Sequence, residues 1–349
     1  MKCFGMLEIN KPAWMDKDVE KMGPLDVICE PVALTPCTSD VHSLHGGAGD
    51  RRNMVLGHEA VGRIVEAGRD VEKFKPGDVV VVPTTTPDWR KSGAQGKYNA
   101  HDEGHSGSYK FQLSKDGTFA ELFHVNLADA NLVPLPPDIP AGTAVMAVDM
   151  MSTGFHGAEL ADIEYGDTVV VIGIGPVGLM ALAAAGLRGA GRLIGVGSRP
   201  VCAALAREYG AGEVVNYKEG DYIETIREMT GNGVDRVIVA GGTAETLVRA
   251  VGLVREGGTV ANVTFFDPSE TFVLPALTWG LGMGNKDIRG GFCPGGSRRI
   301  EKMLELIRHG RVDPSRMITH TYQGFDKIED AFFLMEKKPY DLIKAVVYM

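Results

Sequence analysis

Residues 168–178 read Thr-Val-Val-Val-Ile-Gly-Ile-Gly-Pro-Val-Gly, and this stretch decides the fold. The run Thr168–Gly173 is apolar and largely β-branched, which is typical of a parallel strand buried on both faces. A helix of small residues follows to about Gly189. The glycine spacing G-x-G-x-x-G between this strand and this helix indicates a site for a dinucleotide pyrophosphate. Its residues are Gly173, Ile174, Gly175, Pro176, Val177 and Gly178.

The residues after this motif alternate between strand and helix patterns. A strand–helix alternation of this kind predicts a doubly wound parallel sheet, the Rossmann arrangement. The predicted strands are Arg192–Gly197, Glu213–Asn216, Asp235–Ala240 and Thr259–Val263, and the predicted helices include Tyr222–Thr230 and Ala244–Val254.

The end of the second strand indicates which nucleotide binds. An NAD site normally has an acidic residue there, about 20 residues after the glycines. This chain instead has Gly197, which leaves room for a 2′-phosphate, followed by Ser198 and Arg199, which offer a hydrogen bond and a positive charge. The alternative is a solvated arginine after a turn. We predict NADP.

The flanking regions follow other patterns. The first 150 residues predict short strands and turns, such as the strand Val79–Val82, and residues 84–118 predict a long irregular excursion. The C-terminal part predicts helices over Arg298–His309 and Ile328–Glu336 and a final strand Lys344–Tyr348.

Composition limits the function classes. The chain has 349 residues, a length that suggests about two domains, and a net charge of −9. This charge argues against nucleic acid or an anionic membrane as partner. The five cysteines are scattered without a C-x-x-C pair, and no apolar leader precedes the chain, so we expect reduced thiols in a cytoplasmic protein.

A second motif indicates a metal. Gly57-His58-Glu59, with the glycines and the valine that follow up to Val71, matches the zinc-containing alcohol dehydrogenase signature, and Cys37 upstream supplies a thiolate. Catalytic zinc takes three or four nitrogen, sulfur or oxygen ligands and keeps one position exchangeable.

The chain resembles the NADP-dependent secondary alcohol dehydrogenases of anaerobic bacteria and protists, within the medium-chain dehydrogenase/reductase superfamily. The resemblance runs nearly end to end. It rests on motifs such as PCTSD at 36–40, MVLGHEAVG at 54–62, DMMSTGFHGAELADI at 149–163 and DLIKAVV at 341–347. It implies a mainly β, GroES-like catalytic domain over 1–151 and 296–349, and a Rossmann NADP domain over 152–295.

The resemblance also implies the metal ligands. They are Cys37, His58 and Asp149, with Glu59 as a fourth ligand that yields to substrate. The charge count agrees, because one thiolate and one carboxylate neutralise Zn²⁺ while Glu59 would leave the site at −1. Residues 84–118 lack the four cysteines of a structural zinc lobe, so we expect one zinc per subunit.

Further contacts follow from the same resemblance. Thr153, Tyr217, Val263, Thr264, Phe265 and Lys338 are expected at the cofactor, with Thr153 beside the nicotinamide. Thr85, Tyr109, Phe265, Phe292 and Cys293 are expected to line the substrate pocket. Tyr109 and Phe292 replace the residues that this family commonly has there, which affects substrate size, and Phe265 replaces a common tyrosine. The resembled family forms homotetramers.

The predicted reaction is the interconversion of small secondary alcohols and ketones. Some aldehydes are also expected as substrates. Zinc lowers the pKa of the alcohol hydroxyl, and the hydride passes to the nicotinamide. Ser39 is expected to take the proton and His42 to exchange it with solvent, although a turn-capping serine and a surface histidine are the alternatives. A zinc-free quinone reductase and a non-enzymatic NADPH-binding protein are the competing hypotheses.

Overall fold

The computed structural model describes residues 1–91, 93–95, 111–267 and 269–349. The chain divides into two compact units. Met1–Ser152 and Cys293–Met349 form the first, and Thr153–Phe292 forms the second. In the described part of the chain, no helix has the length and apolar character needed to cross a membrane.

Sixteen strands are present in the described residues. They are β1 Lys2–Glu8, β2 Lys11–Asp16, β3 Val27–Leu34, β4 Met54–Val55, β5 Ala60–Ala67, β6 Val79–Val82, β7 Phe123–Val125, β8 Val133–Pro134, β9 Thr168–Ile172, β10 Arg192–Val196, β11 Glu213–Val215, β12 Val234–Val239, β13 Val254–Asn262, β14 Asp287–Gly290, β15 Ile318–Gln323 and β16 Lys344–Tyr348.

Ten α-helices accompany them in the described residues. They are α1 Thr38–Leu44, α2 Ala128–Asn131, α3 Ala141–Met146, α4 Ser152–Ala161, α5 Pro176–Leu187, α6 Pro200–Glu208, α7 Tyr222–Thr230, α8 Ala244–Leu253, α9 Ser297–Arg308 and α10 Ile328–Lys337. A π-helical turn, Ala147–Met151, joins α3 to α4.

The first unit is mainly β. One sheet has the order β2-β1-β4, and a larger one has the order β15-β16-β3-β5-β6-β8, with β7 also paired to β3. The C-terminal strand β16 pairs antiparallel with β3 and parallel with β15, so the chain end lies beside the strand that leads to Cys37. Fully buried side chains such as Phe4, Leu34, Phe119 and Phe332 form the core.

The second unit contains one six-stranded parallel sheet in the order β11-β10-β9-β12-β13-β14. Counted within the unit, this is the order 3-2-1-4-5-6 of a dinucleotide-binding sheet. The predicted parallel sheet is confirmed. β14 was not among the predicted strands, because Asp-Ile-Arg-Gly has neither an apolar run nor an alternating pattern.

Candidate metal and dinucleotide sites

Three short segments of the first unit bring the expected metal ligands together. Cys37 caps α1, His58 and Glu59 immediately precede β5, and Asp149 lies in the π-helical turn. One donor atom from each side chain lies within 4.8 Å of the other three. A π-helical turn carries one extra residue per turn, and such turns occur frequently at functional sites.

Distances within this cluster suit a small tetrahedral ion. His58 Nε2 is 3.2 Å from Asp149 Oδ2 and 3.9 Å from Glu59 Oε1, and Cys37 Sγ is 3.9 Å from Asp149 Oδ2. Zinc bonds of about 2.0–2.3 Å would separate tetrahedral ligand atoms by roughly 3.3–3.8 Å. Glu59 Oε2 is buried and has no hydrogen-bond partner among the described residues. The donor set and this unpartnered oxygen both fit zinc.

The segment before His58 is shaped by a close backbone approach. Gly57 has φ = +91°, and a Cβ there would lie 2.2 Å from the Phe119 ring. The Gln112 side chain accepts a hydrogen bond from the Gly57 amide at 3.1 Å. The Thr84 hydroxyl donates one to the His58 carbonyl at 3.0 Å. Only glycine satisfies both the backbone conformation and the contact with the ring.

Asp40 organises two of the ligands, and sequence reasoning missed it. Its Oδ2 accepts from the Cys37 amide at 2.6 Å, and its Oδ1 lies 2.9 Å from His58 Nδ1. A carboxylate that accepts from Nδ1–H leaves Nε2 free to bind a metal. The signal was present in the sequence, since Asp40 stands three residues after the residue that precedes α1, the spacing of a capping box.

Lys344 is the second residue that sequence reasoning missed. Its Nζ donates to Glu59 Oε1 at 2.6 Å and to the Pro36 carbonyl at 2.8 Å. Burial is the largest effect and opposes the charged form of Lys344, but Glu59, Cys37 and Asp149 together outweigh it and raise the pKa of the lysine. The available signal was a lysine within the otherwise apolar run Leu342–Val347.

Two more of the predicted residues lie on α1. Ser39 Oγ is 3.3 Å from His58 Nε2, so its hydroxyl lies beside the ligand cluster. His42 lies three residues further along the same helix, in its last turn. This spacing puts both side chains on one face of α1.

The glycine motif of the second unit joins β9 to α5. Gly173 has φ = +91°, and a Cβ on Gly178 would lie 1.9 Å from the Gly173 carbonyl oxygen. A Cβ on Gly175 would lie 3.6 Å from Arg199 Nη2, so the guanidinium lies over the glycine turn. Pro176 begins α5, whose unpaired N-terminal amides form an anion site.

The predicted cofactor residues of this unit lie at one edge of the sheet. Gly197, Tyr217 and Val263 all follow the carboxyl ends of parallel strands, β10, β11 and β13 respectively, where such sheets bind ligands. Ser198 Oγ donates to the Tyr217 hydroxyl at 3.2 Å. A Cβ on Gly197 would lie 2.3 Å from Ile174 Cγ1, which explains the glycine.

The remaining predicted residues are dispersed over the two units. Thr153 is the second residue of α4, and Thr264 and Phe265 follow β13. Lys338 ends α10 in the first unit, with φ = +45°. Thr85 and Cys293 are buried in the first unit, and Phe292 is the last residue of the second. Tyr109 lies outside the described residues.

Comparison with known families covers most of the chain. Residues 23–137 match the alcohol dehydrogenase GroES-like domain, and residues 176–309 match the zinc-binding dehydrogenase family. The chain is 56% identical to the NADP-dependent isopropanol dehydrogenase of Thermoanaerobacter brockii, with all of both chains aligned. It is 51% identical to the enzyme of the same name from Entamoeba histolytica, over 99% of this chain and 95% of that one. The chain belongs to the zinc-containing alcohol dehydrogenase family.

Solved alcohol dehydrogenase structures share its fold. The alcohol dehydrogenase TADH from Thermus sp. ATN1 matches with a TM-score of 0.84 at 28% identity, covering 100% of this chain and 99% of that one. The zinc-dependent alcohol dehydrogenase 2 from Streptococcus pneumonia gives 0.89 at 27% identity, with 100% and 98% covered. The predicted combination of a GroES-like domain and a Rossmann domain is therefore confirmed for this alcohol dehydrogenase.

Proposed function

We propose that this alcohol dehydrogenase interconverts small secondary alcohols and ketones with NADP(H) and one catalytic zinc ion per chain. The observation that carries the proposal is the cluster of Cys37, His58, Glu59 and Asp149, in which His58 and Glu59 are fully buried. It occurs in a chain that aligns from end to end with relatives named NADP-dependent isopropanol dehydrogenase.

Cys37, His58 and Asp149 are the proposed fixed ligands, and Glu59 is the proposed exchangeable one. Bound zinc supplies a Lewis acid that lowers the pKa of an alcohol hydroxyl. Asp40 keeps the His58 ring oriented through Nδ1, at 2.9 Å. The unpartnered Glu59 Oε2 supports a carboxylate that changes partners during turnover.

Ser39 and His42 are proposed to carry the proton of the alcohol. Oxidation removes a hydride from the carbon and a proton from the oxygen. Ser39 accepts that proton as it passes its own to His42, which releases it to solvent. The 3.3 Å separation of Ser39 Oγ from His58 Nε2 supports a hydroxyl beside the ligands.

The proposed NADP site comprises the motif residues Gly173 to Gly178 together with Gly197, Ser198, Arg199 and Tyr217. When bound there, NADP⁺ would supply the hydride acceptor. The α5 N-terminus binds the pyrophosphate, and Arg199 and Ser198 bind the 2′-phosphate. The position of Arg199 beside Gly175 supports this, because its charge lies at the phosphate-binding turn.

Other assignments rest on the family resemblance. Thr153, Val263, Thr264, Phe265 and Lys338 are proposed to contact the cofactor, and Thr85, Tyr109, Phe265, Phe292 and Cys293 to line the substrate pocket. We also propose that residues 1–151 and 296–349 form the catalytic domain and residues 152–295 the NADP domain.

A homotetramer is the proposed assembly. Strand β14 pairs with β13 alone among the described residues, which leaves one edge of the sheet open to another copy of this chain. Apolar side chains nearby are exposed, among them Leu277 at 79%, Leu281 at 63% and Met283 at 79%. Light scattering would give four times the 37.4 kDa chain mass, and a monomer would contradict the proposal.

A cytoplasmic location is also proposed. All five cysteines are free, and Cys37 must remain a thiolate to bind zinc. A reducing compartment keeps such thiols available.

The function is tested by initial rates of 2-propanol oxidation with NADP⁺ and with NAD⁺, together with zinc analysis. We expect turnover that depends on zinc and prefers NADP⁺. Quinone reduction without zinc would indicate a quinone reductase. NADPH binding without any turnover would indicate a non-enzymatic protein.

A further inference from the structure

Lys344 is a buried cation in contact with the metal-ligand cluster. It begins β16, and its side chain is 1% exposed. The Thr319 hydroxyl fixes the backbone at this position. Its Oγ1 donates to the Lys344 carbonyl at 3.2 Å and accepts from the Ile343 amide at 2.9 Å. The ammonium is held by its hydrogen bonds to Glu59 and to the Pro36 carbonyl.

Packing alone does not require a lysine here. The next three residues of β16, Ala345, Val346 and Val347, are fully buried and apolar. Lysine is almost never fully buried unless it is paired, because desolvating its charge costs free energy. An apolar residue would fill the same strand position without that cost. The positive charge of Lys344 therefore has a role other than packing.

The charges of the ligand cluster indicate the role of the positive charge of Lys344. Thiolate Cys37 and carboxylates Asp149 and Glu59 bring three negative charges against two positive charges of zinc. The positive charge of Lys344 brings the net charge of the ligands and the zinc ion to zero. Its hydrogen bond of 2.6 Å engages Glu59 Oε1, whereas Glu59 Oε2 has no partner among the described residues.

We propose that Lys344 is a positioning residue that competes with zinc for the Glu59 carboxylate and so keeps Glu59 exchangeable. The inference rests on the proposed function, since it concerns a metal ligand that must leave when alcohol binds. Without the ammonium, Glu59 stays on the metal and occupies the position that the substrate needs.

Cobalt substitution tests the coordination directly. Co²⁺ replaces zinc, and its visible absorption reports the number and type of ligands. Dimethyl sulfoxide, an uncharged oxygen donor, is then added as the probe. We expect it to change the spectrum of the wild type and to leave that of Lys344→Met unchanged at the same concentration.

Kinetics of the zinc form supply a second readout. Because Glu59 then occupies the position that the alcohol needs, we expect KM for 2-propanol to rise about tenfold or more, which corresponds to about 1.4 kcal/mol or more. The change in kcat is expected to be smaller, because alcohol that displaces Glu59 still reacts. Glu59→Gln added to Lys344→Met is expected to restore the response of cobalt to dimethyl sulfoxide.

Lys115→Met is the matched control. Lys115 is also buried, and its Nζ donates to Thr86 Oγ1 at 2.8 Å and to Asn126 Oδ1 at 3.0 Å. It tests the loss of a buried lysine that does not contact the ligand cluster. Lys344→Arg, which keeps the charge, is expected to retain the wild-type cobalt response.

Lys344→Gln covers the case in which Lys344→Met does not fold, since its amide still donates to the Pro36 carbonyl. It is expected to lose the cobalt response as Lys344→Met does. A cobalt response equal to that of the wild type in Lys344→Met, or in Lys344→Gln where Lys344→Met does not fold, would overturn the inference. An inactive, zinc-free wild type would instead contradict the proposed function.

Discussion

The metal-ligand residues depend on a carboxylate that is not itself a ligand. Asp40 connects the backbone of Cys37 to the ring of His58, so it fixes a thiolate and an imidazole at once. The contact with Cys37 lies within the start of α1, whereas the contact with His58 joins that helix to the segment before β5. Asp40 thereby couples the fold of α1 to the geometry of the site.

Replacement of Asp40 by Asn should weaken zinc binding. An amide cannot offer two anionic acceptors, so the His58 tautomer is less well fixed, and we expect zinc affinity to fall about 10–100-fold. Chelator competition measures it. Asp129→Asn is the control, because both carboxylate oxygens of Asp129 also accept hydrogen bonds, in its case from the backbone amides of Glu72 and Lys73. Equal zinc affinity in Asp40→Asn and the wild type would contradict this role.

Arg199 should determine the cofactor preference. A charge-assisted hydrogen bond to phosphate is worth about 1.5–3 kcal/mol, so Arg199→Ala is expected to raise KM for NADP⁺ about 10–100-fold. KM for NAD⁺, which lacks the 2′-phosphate, should change little. Initial rates with both cofactors measure this, with Arg207→Ala, in the helix α6 that Arg199 precedes, as the control. A parallel change for both cofactors would contradict the assignment.

At the scale of elements, α5 contains two glycines with opposite expectations. A Cβ on Gly178 would clash with backbone at 1.9 Å, whereas one on the exposed Gly186 would meet Leu193 Cδ1 at 3.6 Å, an ordinary contact. Gly178→Ala should therefore lower the melting temperature and weaken NADPH binding. Gly186→Ala should stabilise the helix by up to about 1 kcal/mol. Thermal unfolding compares them, and equal effects would contradict the packing described.

Asp26, the residue immediately before β3, should contribute to the stability of the fold in a way that depends on pH. Burial opposes ionisation of Asp26, but hydrogen bonds from His124, Leu127 and Gly23 outweigh it and lower its pKa from 3.8 to about 2. A lowered folded-state pKa stabilises the protein above pH of about 4, and this contribution is lost as the pH falls towards about 2.

Asp26→Asn is therefore expected to cost about 2 kcal/mol at pH 7, with the difference from wild type narrowing between about pH 4 and pH 2. Urea unfolding of the chelator-treated chain measures it, so that metal loss does not contribute. The exposed Asp18→Asn is the charge-matched control. A difference that does not change with pH would contradict the assigned pKa.

The sequence predicted elements well where a local pattern matches the final environment. The helix Tyr222–Thr230 and the strand Lys344–Tyr348 have the predicted bounds, since their apolar periodicity reports real burial. The π-helical turn at Asp149 was not predictable, because no local signal distinguishes it from α-helix. Asp40 and Lys344 were missed as site residues because their contacts with His58 and Glu59 join residues that only the fold brings close.

For the whole molecule, zinc and NADP are both required by the proposed chemistry. The ligand cluster belongs to the first unit and the glycine motif to the second. Neither site alone oxidises an alcohol. An experiment that measures both the zinc content and the NADP⁺-dependent rate therefore tests the whole proposed function.

The most direct measurement combines zinc content with the rate of NADP⁺-dependent 2-propanol oxidation in the wild type and in Asp149→Ala. The account predicts one zinc per wild-type chain and faster turnover with NADP⁺ than with NAD⁺. It also predicts loss of both zinc and activity in Asp149→Ala. An Asp149→Ala variant that keeps its zinc and full activity would contradict the account.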